Sequence, residues 1–109
     1  MPELSPTRRR ELKARAHVLD PVVLIGAEGL SSSVLAEIDR GLNAHELIKV
    51  RARDADRPTR DALLEEICRS TGAQPIQHIG KILVIFRQNP EAEERRPEIN
   101  ARRNVRRRR

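Results

Sequence analysis

Residues 26–29 read Gly-Ala-Glu-Gly, a G-x-x-G loop between the apolar run Val22 to Ile25 and a serine-rich start at Ser31, Ser32 and Ser33. Two glycines three apart let a backbone approach another chain closely. A helix beginning behind them offers unpaired N–H groups and a positive dipole end, which suits an anion such as a phosphate. Glu28 works against a phosphate clamp, because its carboxylate repels phosphate and complements the helix dipole instead. Two glycines at this spacing also make a plain strand-to-helix turn, so the candidate contact Gly26, Ala27, Glu28 and Gly29 needs support from its surroundings.

Cations supply that support. Arg8, Arg9, Arg10, Lys13 and Arg15 fall within one short segment, offset only by Glu3 and Glu11. Lys49, Arg51 and Arg53 alternate with Ile48, Val50 and Ala52, which places the three cations on one side of an extended strand. Lys81 sits in a turn further on. Each group has two readings. The helical cations form either a phosphate-contacting face or a solvated one, and the strand cations either bind phosphate or protect a sheet edge from aggregation.

The remaining chemistry is sparse. His17, His45, His78 and the single Cys68 are scattered, without metal-ligand spacing, so no metal site and no cofactor are expected. No G-x-S-x-G, Walker loop, G-x-G-x-x-G or Cys-x-x-Cys occurs, and pairs such as Glu65-Glu66 read as solvated. An enzyme acting on a small-molecule substrate is not expected. Phe86 is the lone aromatic residue, which argues against base stacking on aromatic platforms and for recognition through backbone, phosphate and shape. One cysteine and no apolar run near the ~18 residues that span a bilayer make a reducing, cytoplasmic setting without a membrane partner the natural expectation.

The elements that position these residues follow from periodicity and punctuation. Ser5-Pro6 opens a first helix whose apolar stripe is Leu12, Ala16 and Leu19. Pro21 ends it, and Val22 to Ile25 reads as a strand buried on both faces. A second helix spans about 31 to 44 with Val34, Leu35, Ile38 and Leu42 inward, followed by a strand from Leu47 to Arg53. After the turn at 54–58, Asp56 or Thr59 caps a third helix that buries Leu63, Leu64, Ile67 and Cys68 and stops at Gly72. Gln74 to Ile79 and Ile82 to Arg87 form a hairpin across Gly80-Lys81, with Pro75 marking a sheet edge and the last strand central. The order predicts one compact α/β domain, helix-strand-helix-strand-helix-strand-strand, around a four-stranded mixed sheet. Where the first helix packs is left open.

Of the chain's 109 residues and net charge of +6, residues 1–90 hold 14 basic and 12 acidic side chains, and residues 91–109 hold 8 and 4. The domain is therefore read as 1–90, followed by an arginine-rich tail, 91–109, expected to be disordered by itself. That imbalance suits a polyanionic partner.

Several linked segments resemble one family. His17 to Leu30 (HVLDPVVLIGAEGL), Val34 to Ile38 (VLAEI), His45 to Val50 (HELIKV), Thr71 to Ala73 (TGA) and Gln77 to Arg87 (QHIGKILVIFR) are similar, in order and spacing, to the CRM domain in its bacterial stand-alone form, the YhbY family. The resemblance covers about residues 5 to 90. It implies a fold similar to the C-terminal domain of translation initiation factor three, with KH-like features. It also implies RNA binding, with association to large-subunit precursors during ribosome assembly. The G-x-x-G loop carries over as an RNA contact, and the basic residues as a general cationic surface.

The reading that results is a monomeric, non-enzymatic protein binding ribosomal RNA through the loop and the cations named above. Its alternative is a ribosome- or translation-associated protein-interaction module without direct RNA readout. Duplex DNA binding by a small basic α/β domain is a third possibility.

Overall fold

The computed structural model describes residues 4–53 and 55–89. Its elements run α1 (Pro6–Ala16), β1 (Pro21–Ile25), α2 (Ser32–His45), β2 (Leu47–Ala52), α3 (Arg57–Thr71), β3 (Gln74–Ile79) and β4 (Ile82–Phe86). Local chemistry accounts for the boundaries. Ser5 caps α1, its hydroxyl accepting from Arg8 N at 3.0 Å, and Pro6 takes the first turn, where no N–H is needed. Ser31 caps α2 through Val34 N at 3.2 Å, and Asp56 caps α3 through Thr59 N at 3.0 Å. Gly72 ends α3 in the left-handed region at φ 76°, open to glycine without a Cβ penalty.

The sheet order is β1-β2-β4-β3, with β1 and β2 parallel and the other two pairs antiparallel. The compact α/β domain with a four-stranded mixed sheet is thus as expected. The expected hairpin, the central β4 and the edge position of β3 with Pro75 are also found.

Three expectations need correction, at β1, at β2 and at Leu19. β1 is not buried on both faces: Val23 and Ile25 are buried, whereas Val22 and Leu24 are about half exposed, at 52% and 48%. β1 is an edge strand, and α1 packs over β2 and β3 without covering it. The Lys49, Arg51 and Arg53 row does not guard a sheet edge, because β2 is flanked by β1 and β4 on its two sides.

The sheet separates two apolar layers. Ile38, Leu42 and Ile67 from α2 and α3 pack against Val23, Ile25, Ile48, Val50, Leu83 and Ile85 on one side. On the other, Leu12 and Ala16 of α1 pack against Leu47, Ile76, Val84 and Phe86. β4 serves both layers and is buried from Leu83 to Phe86, which explains its unbroken apolar run. Burying each such side chain contributes roughly 1.5–3 kcal/mol. Leu19, outside α1, stays partly exposed and leaves the stripe as Leu12 and Ala16. The arginine-rich tail and Asp54 lie outside the described residues.

Candidate nucleic-acid interface

Docking Leu12 and Ala16 onto the sheet fixes the rotation of α1 and divides its five cations. Arg8 and Arg9 lean onto the protein. Arg8 stands 5.4 Å from the Phe86 ring centroid and 3.5 Å from Glu11 Oε1, and Arg9 donates to the Pro75 carbonyl of β3. Arg10 and Lys13 line an open groove of about 490 Å³ with Ala14 and His17 on the helix side. Its floor is Lys49, Gln77, Ile79, Ile82 and Val84. Arg15 faces a different depression, between the α1–β1 connection and His45.

Strand register aligns the second cationic row with this groove. Lys49 pairs with Val84, and Arg51 with Ile82 on one side and Leu24 on the other. Lys49 and Arg51 therefore share the α1 side of the sheet with the groove floor. Among the described residues, no acidic side chain pairs with Arg10, Lys13, Lys49 or Arg51. Arg53 lies just past β2, its N–H donating to the Ile25 carbonyl at 3.1 Å. Lys81 is exposed in the β3–β4 turn, and its carbonyl accepts from Ala52 N at 2.8 Å.

The glycine loop sits at the same end of the sheet as that turn. Gly29 N donates to the Gly26 carbonyl at 3.0 Å, closing a tight turn, and Gly29 adopts φ 76°. Nothing stands within 4 Å of where a Cβ on Gly26 would lie, so its surface is open to close approach. Beside the loop, a cleft of about 350 Å³ is shared with Ala52, Ala55, Asp56 and Thr59. Hydrogen bonds from Thr59 hold the Asp56 carboxyl below its ordinary value, so it is anionic at neutral pH. Glu28 is exposed nearby in the loop itself. The loop end thus carries negative charge on its α3 side and positive charge on its α1 side. The structure sets Arg10, Lys13 and Lys49 around one groove with Arg51 further along the same sheet face, and it sets Arg8, Arg9 and Arg15 apart from them.

Gln77, Ile79, Ile82, Leu24 and His17 join this surface although none stood out in the sequence. Which face of the strands remained open depended on where α1 packs, which the sequence left open. His78 is engaged on the opposite side of the sheet: Nδ1 is 2.7 Å from Asp61 Oδ1, and Arg60 Nε donates to Nε2 at 3.2 Å. It fastens the hairpin to α3. Among the described residues, no group of three or more His, Cys, Asp or Glu is arranged to hold a metal ion, and no helix is long and apolar enough to cross a membrane.

Known proteins resemble this chain along most of its length. The model of the CRS1/YhbY (CRM) domain family matches residues 4–87. An RNA-binding protein of Haemophilus influenzae is 48% identical over 92 residues, which cover 84% of this chain and 93% of that protein. A protein of Pseudomonas aeruginosa, named a probable RNA-binding protein, is 41% identical over 88 residues, covering 81% and 85%. The solution structure of a Staphylococcus aureus protein superposes with a TM-score of 0.71 at 31% identity, covering 80% of this chain and 91% of that one.

Proposed function

The chain belongs to the CRS1/YhbY (CRM) domain family, and from that premise we propose that it is a non-enzymatic RNA-binding protein engaging ribosomal RNA in precursors of the large ribosomal subunit. The observation that carries the RNA reading is the set Arg10, Lys13, Lys49 and Arg51, four cations on one face with no acidic partner among the described residues. Cations left unpaired over a common surface attract a polyanion, and each phosphate they neutralise releases counterions.

In this reading the G-x-x-G loop is a close-approach point at the end of the cationic face, not its electrostatic anchor. Gly26 lets an RNA backbone come near, while Glu28 and Asp56 keep phosphates to the α1 side. Residues 1–90 form the binding unit, and the arginines of 91–109 add affinity without sequence preference. The protein acts as a monomer in the cytoplasm, without a cofactor.

The test is sucrose-gradient sedimentation of a lysate with and without nuclease, followed by sequencing of crosslinked RNA. Co-migration with large-subunit precursors that disappears on RNA digestion, with crosslinks in their ribosomal RNA, is the expected result. Co-migration that survives digestion would reassign the chain to a protein partner.

A further inference from the structure

Resting on that RNA reading, we propose that the open sheet face beside α1 holds a single-stranded RNA segment, its bases against an aliphatic rung and its phosphates against the groove cations. The rung is set by register. Leu24 pairs with Arg51, Arg51 with Ile82, and Ile82 with Ile79, so these four side chains cross all four strands on one face. At about 4.8 Å between strands the rung is roughly 14 Å long. Leu24 and Ile79 at its ends are 48% and 56% exposed. The next two rungs carry Val84 and Phe86, both buried in the layer that α1 covers.

Two large aliphatic side chains, Leu24 and Ile79, are left in water at the ends of one line, with Arg51 and the partly buried Ile82 between them. Beside them lie cations without an acidic partner among the described residues, and the combination matches one ligand chemistry. A single strand offers apolar base faces and a row of charges together. An A-form duplex hides its base faces and would set phosphate and ribose against Leu24, Ile82 and Ile79. A protein partner would need an acidic ridge to answer Arg10, Lys13, Lys49 and Arg51. With Phe86 buried, the chain's one aromatic ring cannot stack a base, and the Arg51 guanidinium plane and the aliphatic rung take that role.

The test compares the full-length protein with the Leu24→Thr/Ile79→Thr double variant, which replaces two exposed residues with threonine, itself β-branched and strand-forming. Affinities are measured by anisotropy over a salt series for a mixed-sequence single-stranded RNA oligonucleotide and for the same strand annealed to its complement. The expected result is about a tenfold loss for the single strand, little change for the duplex, an unchanged salt slope and an unchanged urea midpoint. Equal affinity for the single strand, or an equal loss for both RNAs, would overturn the proposal while leaving RNA binding intact. If the double variant keeps its RNA affinity but stops sedimenting with nuclease-treated ribosomal particles, the face belongs to a protein and the proposal is likewise overturned. A wild-type protein that binds neither RNA would remove the RNA reading itself.

Discussion

Arg87 Nη1 lies 2.7 Å from Asp39 Oδ1 and 2.8 Å from the Thr71 carbonyl, so one guanidinium at the end of β4 joins α2 to the last turn of α3. Its other nitrogen donates to Asn43 Oδ1 at 2.8 Å, and the side chain is only 16% exposed. Removing it strands several acceptors at once. Arg87→Met is expected to cost about 2–3 kcal/mol, and Asp39→Asn, at a half-exposed site, under about 1 kcal/mol. Urea unfolding checks both, and equal losses would contradict this assignment.

The division of the α1 cations predicts two kinds of variant. Arg8→Ala and Arg9→Ala should each lower stability by about 0.5–1 kcal/mol, through the Phe86 ring and the Pro75 carbonyl. Arg10→Ala and Lys13→Ala should leave stability unchanged, weaken RNA binding and reduce the salt slope by about one for each phosphate no longer neutralised. Denaturation and salt-series anisotropy on the same four variants separate the roles. Identical behaviour of both pairs would refute the division.

The two loop glycines should also part company. Gly29→Ala places a Cβ on a residue at φ 76° and should cost about 1–2 kcal/mol. Gly26→Ala meets no atom within 4 Å and should fold like the wild type. If RNA approaches the loop backbone, Gly26→Ala nonetheless binds more weakly. An Ala at 26 that changes neither stability nor affinity removes the loop from the interface.

Asp56 gives an acid-side prediction. Its folded pKa lies below the unfolded value of about 3.9, because Thr59 hydrogen bonds favour the carboxylate. Its contribution to stability is complete above the unfolded pKa and is lost as the pH falls through the folded one. Asp56→Asn keeps an N-cap without a titrating group, so its stability should fall less steeply below pH ~4 than that of the wild type. Parallel acid-unfolding curves would disprove the cap's titration.

Cys68 gives the opposite sign. Burial pushes its thiol up to about 11, so the native state keeps its proton longer than the unfolded chain does. This site therefore subtracts stability as the pH rises from about 8.5 towards the folded pKa. At pH ~8 iodoacetamide should alkylate native Cys68 slowly and the urea-unfolded chain much faster. Equal rates would show the thiol to be accessible and ionising in the fold.

Much of the architecture was legible because its signals are local. Ser5, Ser31 and Asp56 bond N–H groups three residues ahead, Gly72 takes a conformation that other residues avoid, and Gly80-Lys81 is just long enough to reverse a strand. The unbroken run Ile82 to Phe86 announced a central strand apolar on both faces, and Leu83 to Phe86 are buried. The same rule misjudged Val22 to Ile25, where an equally apolar run belongs to an edge strand that α1 does not cover. Composition cannot tell an apolar face that meets a helix from one left open.

The amino-acid sequence by itself determined the element order, the Ser5 cap and the turns, the family and the presence of two cationic rows. Each of these depends on neighbours within a few residues or on a spacing that survives without folding. Only the tertiary structure decided which cations share one face. Leu12 and Ala16, by docking on Leu47, Val84 and Phe86, turn Arg8 and Arg9 inward and Arg10 and Lys13 towards Lys49. That choice depends on packing between residues some 30 to 75 positions apart, which no local periodicity encodes.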